Sequence, residues 1–171
     1  MKKENVFIDP NVARKNKLRH VVETKQIGAN EPPLFSWIEF NLSGSCNRRC
    51  DFCPWSNPEW RSSHFQNVTD NNGSLHLPTE VYEGVMKDLN KVGFKGGIIY
   101  SAFSEPFLYK HLEEVIKISK EQCPESRIEV VTNGDFLTID KLNTFFEAGL
   151  TRIDVSVYDG PDKVKPFEDL R

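Results

Sequence analysis

From residue 79 onward the chain repeats one pattern three times: apolar residues at helical spacing, then a short apolar run. Val81, Val85, Leu89 and Val92 mark the first helix, with Thr79 as its N-cap, and Gly96-Gly97 opens the run Ile98-Ile99-Tyr100. Leu112, Val115, Ile116 and Ser119 mark the second helix, followed by Ile128-Glu129-Val130-Val131 and the turn dipeptide Asn133-Gly134. Leu142, Phe145, Phe146 and Leu150 mark the third, and Ile153, Val155 and Val157 the last run. Upstream, Trp37-Ile38-Glu39-Phe40-Asn41-Leu42 alternates apolar and polar residues as a strand does. Strands that alternate with helices are joined by right-handed crossovers and lie parallel in one sheet. The predicted fold class is therefore α/β with four parallel strands, whose functional groups gather at the strands' carboxyl ends.

Directly after the first predicted strand comes Cys46-Asn47-Arg48-Arg49-Cys50-Asp51-Phe52-Cys53, which holds three of the chain's four cysteines. A C-x3-C-x2-C loop brings its thiolates to one place without long-range folding, and soft sulfur selects iron–sulfur clusters, zinc or copper. Three such ligands with no adjacent fourth leave a coordination position open. A structural zinc site would draw its fourth ligand from nearby, so His64 or His76 would make a zinc-stabilised Cys3His scaffold. Against that reading, no H-x3-5-H or second C-x2-C pair completes a zinc pattern. Arg48 and Arg49 lie between the cysteines, either as solvated loop residues or as cations that offset thiolate charge and raise a cluster's potential. Cys123 reads as a small buried side chain, and His20 and His111 as surface residues without ligand-spaced partners.

A length of 171 residues suits one domain with a real core. Its parts are a polar arm over residues 1–33, ending at Pro32-Pro33, and an α/β core over 34–171. With 27% charged residues and a formal charge of −3, no field is strong enough to indicate nucleic acid or a membrane surface. No apolar run has the length of a membrane span, and Lys2-Lys3 is not followed by a signal-peptide core, so the expected location is cytoplasmic. Cysteines crowded this way favour metal over disulfides. The long loop after Cys53 carries Trp55, Trp60 and Phe65, placed either to cover a ligand or to pack on the rim of the sheet.

The stretch Glu39 to Pro54 resembles the signature of the radical S-adenosylmethionine (radical SAM) superfamily: C-x3-C-x2-C after the first strand, with an aromatic, here Phe52, before the third cysteine. Ser101-Ala102-Phe103-Ser104-Glu105-Pro106 resembles the family's Gly-Gly-Glu-Pro turn, with Ser104 in place of the second glycine. Thr132-Asn133-Gly134-Asp135 resembles its Thr-Asn-Gly turn, and Ser156-Val157-Tyr158-Asp159-Gly160 its Ser-x-x-Asp-Gly segment.

The resemblance implies a partial (βα) barrel carrying a 4Fe-4S cluster on Cys46, Cys50 and Cys53, with S-adenosylmethionine on the open iron. It places Phe52 against the adenine, Ser104 and Glu105 at the methionine amino group, Ser156 near the ribose or carboxylate, and Asn133 close by. A carboxylate suits an ammonium group through charge-assisted hydrogen bonds. Asn133, Asp135 and Asp159 read equally well as turn formers. Reductive cleavage of the cofactor would give methionine and a 5′-deoxyadenosyl radical that takes hydrogen from an unidentified substrate, with flavodoxin or ferredoxin as electron donor. The resemblance covers about four βα units, from Trp37 to about Gly160, so the expectation is a barrel truncated at its C-terminus. Pro166-Phe167-Glu168 resembles a helix begun and not finished. The fourth strand would then be an open edge that invites self-association, and a cluster-binding module without turnover is the alternative to an enzyme.

Overall fold

The structure is a computed structural model and describes residues 36–53 and 76–168. The arm over 1–33, His20, His64 and the loop aromatics Trp55, Trp60 and Phe65 lie outside the described residues. The elements run β1 (Trp37–Phe40), α1 (Thr79–Lys91), β2 (Gly97–Tyr100), α2 (Leu112–Gln122), β3 (Arg127–Thr132), α3 (Ile139–Glu147), β4 (Arg152–Val155) and a one-turn α4 (Lys165–Glu168). Short 3-10 turns at Pro106–Leu108 and Pro161–Lys163 follow β2 and β4.

All pairings are parallel and the sheet order is β1-β2-β3-β4, the α/β arrangement that the alternation predicts. Among the described residues, β1 and β4 are the edges. Register places Phe40, Tyr100 and Val130 side by side, so the same parity on each strand faces one layer. Ile98, Tyr100, Ile128 and Val130 meet Leu89, Leu112, Val115 and Ile116 of the helices in a continuous apolar core. Burying side chains of this size contributes about 1.5–3 kcal/mol each. Among the described residues no helix is long and apolar enough to cross a membrane.

α2 buries the stripe expected of it, Leu112, Val115, Ile116 and Ser119. In α1 the expected stripe holds in part: Leu89 is buried and Val85 packs against the core, but Val81 and Val92 are exposed and Tyr82 and Met86 are buried instead. Its N-cap is Pro78, with Thr79 already inside the helix and no side chain capping it. The physical reason is the Tyr82 ring, which packs on Phe40 at 4.8 Å and reaches the hydroxyls of Tyr100 and Ser119, a better buried fit than a valine. In α3, Phe145 is buried and Phe146 exposed, and Leu150 packs into the core from beyond the helix end.

Candidate active site at the carboxyl ends of the strands

Each strand ends in the loop that carries one of the singled-out motifs, because parallel strands all finish on the same rim. The cysteine loop leaves β1 through a backbone bridge between Ser43 and His76, and Ser45 accepts from the Glu105 N–H at 3.0 Å. Within it the Cys53 N–H closes a turn onto the Cys50 carbonyl at 2.9 Å. Cys46, Cys50, Phe52, Cys53, Ser104, Glu105, Asn133 and Ser156 all line one cleft that is open to solvent. The eight residues come from the loops after all four strands.

The three thiols are half-buried and unoxidised. Cys50 is pushed up from its ordinary value, first by burial and then by repulsion from Cys46 and Cys53, so the three sulfurs feel one another. Three mutually repelling soft donors on one wall are a donor set that a positive iron–sulfur core satisfies. Among the described residues no three His, Cys, Asp or Glu side chains group around one metal-ion position. His76, the described candidate for a fourth zinc ligand, does not line the cleft; its backbone bridges Ser43 and its ring sits 5.8 Å from that of Tyr109.

Glu105 departs from the simple role of taking an ammonium group. Its carboxylate is buried, and Oε1 accepts from the Phe107 N–H at 3.1 Å and the Thr132 hydroxyl at 2.7 Å. Oε2 accepts from the Asn133 N–H at 2.9 Å, so Glu105 binds the end of β3 to the loop after β2. The left-handed backbone position in that loop falls on Ala102, at φ 79°, and not on Phe103 or Ser104, which stand where the family's glycines would. An L-residue there costs about 1 kcal/mol or more. The Ser104 hydroxyl donates to Asn41 Oδ1 at 2.7 Å.

The turn after β3 is built on Gly134, at φ 82°, where an added Cβ would lie 2.7 Å from the Phe167 ring and 2.8 Å from Val155 Cγ1. Its N–H donates to the Thr132 hydroxyl at 3.1 Å, and Asn133 Oδ1 accepts from the Asp135 N–H at 2.9 Å. Ser156 is held by its N–H on the Thr132 carbonyl at 2.8 Å.

Arg48 is neither a solvated loop residue nor a free cation beside the thiols. Its Nε donates to Asp135 Oδ2 at 2.7 Å, its Nη2 to Asp135 Oδ1, and its Nη1 to Asp159 Oδ2 at 2.8 Å. These bonds hold Arg48 above its ordinary value and Asp135 below its own. Asp135 and Asp159, legible in sequence as turn formers, are thus ligands of the cysteine loop. Arg49 is exposed. Thr132 and Tyr158 also join the site, the latter edge-on to Phe52 at 4.8 Å. Both stand inside the quoted motifs, which was the available signal.

Residues 40–169 match the radical SAM superfamily. The chain belongs to that superfamily. One radical SAM relative, the S-adenosyl-L-methionine-dependent 2-deoxy-scyllo-inosamine dehydrogenase of Niallia circulans, is 32% identical over 74% of this chain and 46% of its own length. The GTP 3′,8-cyclase of Aquifex aeolicus is 35% identical over 74% of this chain and 36% of its own. A crystal structure of BtrN in complex with AdoMet and 2-DOIA superposes with a TM-score of 0.62 at 31% identity, covering 74% of this chain and 47% of that one. The chain thus spans under half the length of these relatives. Radical SAM enzymes use a 4Fe-4S cluster and S-adenosylmethionine, and the sheet described here corresponds to part of their partial barrel.

Proposed function

We propose that Cys46, Cys50 and Cys53 hold a 4Fe-4S cluster and that the cleft around them binds S-adenosylmethionine for radical chemistry on an unidentified substrate. When bound, this pair supplies reductive cleavage of the cofactor to methionine and a 5′-deoxyadenosyl radical competent for hydrogen abstraction. One observation carries the reading: residues singled out from four separate motifs line a single cleft at the strand ends.

The chain's own groups divide the work of binding. Phe52, 65% exposed and braced by Tyr158, offers a flat apolar face for an adenine. Ser156 brings a hydroxyl to the cleft wall, suited to ribose or carboxylate oxygens, and Ser104, whose proton goes to Asn41 Oδ1, keeps lone pairs suited to the methionine ammonium. Glu105 has three acceptor positions filled by the chain, and the remaining one on Oε2 suits a single ammonium N–H. Its negative charge acts on that ammonium from within the wall. Asn133 lends its backbone to Glu105 and its side chain to Asn47, so it shapes the cleft more than it donates to a ligand.

Anaerobic reconstitution of the full chain, followed by iron and sulfide analysis, tests the reading. About four irons and four sulfides per chain are expected, and a Cys50→Ala variant should lose them. Reduced protein incubated with S-adenosylmethionine should release 5′-deoxyadenosine. Zinc without acid-labile sulfide would overturn the cluster assignment, and a loaded cluster without any 5′-deoxyadenosine would favour a binding module over an enzyme.

A further inference from the structure

The contacts of Arg48 and Asn47 take no part in the chemistry proposed above, yet they join segments 87 and 111 residues apart. Beside the three Arg48 bonds, Asn47 Nδ2 donates to Asp135 Oδ2 at 2.6 Å, and Asn47 Oδ1 accepts from Asn133 Nδ2 at 2.9 Å. We infer that Arg48 is a positioning residue, the centre of a clamp that fixes the Cys46–Cys53 loop against the turns after β3 and β4 before any cluster arrives.

Geometry favours a positioning role. The planar guanidinium fork meets the Asp135 carboxylate with two parallel bonds and still reaches Asp159 with its third nitrogen. A lysine presents a point charge and cannot hold both carboxylates in fixed directions. The side chains are 23%, 35% and 54% exposed for Arg48, Asp135 and Asp159, and lone ion pairs that exposed hold little. A bidentate fork shared between two turns, with Asn47 bonded to the same carboxylate, forms a network and holds more. Without it, the loop is tied to the sheet by the Ser43–His76 bridge, by the Ser45 carbonyl on the Glu105 N–H and by the Phe52–Tyr158 ring contact.

The clamp belongs to the cluster-free chain; its consequence for iron rests on the proposed function. Hydrogen exchange in the cluster-free full chain tests the first part, because the Cys53 N–H is bonded inside the loop at 2.9 Å. Arg48→Lys and Asp135→Asn should each speed exchange at Cys53 by up to about fivefold, and Asp159→Asn about twofold, with amides of β2 and β3 unchanged. Unchanged exchange at Cys53 in the first two variants would overturn the clamp, and so would equal acceleration throughout the sheet, which is a general loss of stability. Release of iron to a chelator from reconstituted protein tests the second part. Arg48→Lys should release it about tenfold faster, the lower end of what outer-shell partners contribute to metal affinity. Retention equal to that of the unaltered protein would overturn the positioning role. Failure of the unaltered chain to take up iron would instead overturn the cluster reading, with the exchange result still deciding the clamp.

Discussion

Two polar networks, one of three side chains behind the sheet and one of Arg48, Asn47, Asn133, Asp135 and Asp159 on its rim, are built on opposite terms. Behind the sheet, Tyr82 of α1, Tyr100 of β2 and Ser119 of α2 share neutral hydroxyl bonds in full burial, with Tyr82–Tyr100 at 2.7 Å and Tyr100–Ser119 at 2.8 Å. The Val115 carbonyl lies within bonding reach of both the Tyr100 and the Ser119 hydroxyls, at 3.1 and 2.9 Å, so the hydroxyl protons are shared among alternative acceptors. Burial pushes the Tyr82 phenol up to about 12 and Tyr100 well above its ordinary value, so both remain neutral. On the rim, Arg48, Asp135 and Asp159 are charged and partly exposed. The inner network joins layers that apolar packing already brings together; the outer one joins loops that also meet at the exposed Phe52–Tyr158 ring pair, outside the core. Burial makes an unmade hydrogen bond expensive, whereas charge and reach place a loop at little energetic gain.

Glu105 sharpens the comparison, since it is buried like the first network and charged like the second. If burial governs the energy, Glu105→Ala should cost about 3 kcal/mol or more, because the Phe107 N–H, the Thr132 hydroxyl and the Asn133 N–H all lose a charged acceptor. Glu105→Gln keeps one acceptor oxygen and should cost clearly less. Denaturant unfolding of the cluster-free chain measures both, and an Ala variant within about 0.5 kcal/mol of the parent would contradict the claim that burial rules.

Tyr100→Phe is the next smaller effect. It removes one hydroxyl and leaves the Tyr82–Ser119 bond in place, so about 1–2 kcal/mol is expected, with iron uptake and retention unaltered. A variant that unfolds no sooner but releases iron faster would mean that the inner network serves the site, which would dissolve the contrast.

How much of this was legible in the sequence follows the same division. Period and apolar content identify four parallel strands and the buried stripe of α2, because those features are local and repeat. The stripe of α1 is read correctly at Leu89 and Val85 and wrongly at Val81 and Val92, because valines outrank Tyr82 in hydrophobicity, whereas a tyrosine with hydroxyl partners is what the core accepts. The cleft residues are legible through motif resemblance, as each motif sits just past a strand. Arg48 is not legible: its carboxylates stand on two distant turns, where Asp beside Gly has a sufficient local explanation as a turn former. Nor does a motif reveal that Glu105 spends most of its acceptor capacity within the protein, since that depends on how β3 ends beside it.

Acid gives the smallest effect and the most selective one for the rim. Hydrogen bonds from Arg48, above all, hold the Asp135 carboxyl below the ordinary aspartate value of 3.8. A folded value below the unfolded one means that the unfolded chain takes up the proton first. The contribution of Asp135 is therefore complete above 3.8 and is lost as pH falls through the lower folded value. With Asp135 35% exposed, solvent and salt screen the pair, and its share of stability stays under about 1 kcal/mol. The stability gap between the cluster-free parent and Asp135→Asn should thus be measurable above pH 3.8, shrink as pH falls below it, and narrow in high salt. The buried phenols have no transition in that window, so a Tyr100→Phe gap should hold steady across it. If instead the Asp135→Asn gap persisted unchanged into acid, the rim would be held by something other than its ion pairs, and the distinction between a neutral buried network and a charged exposed one would fail at its charged end.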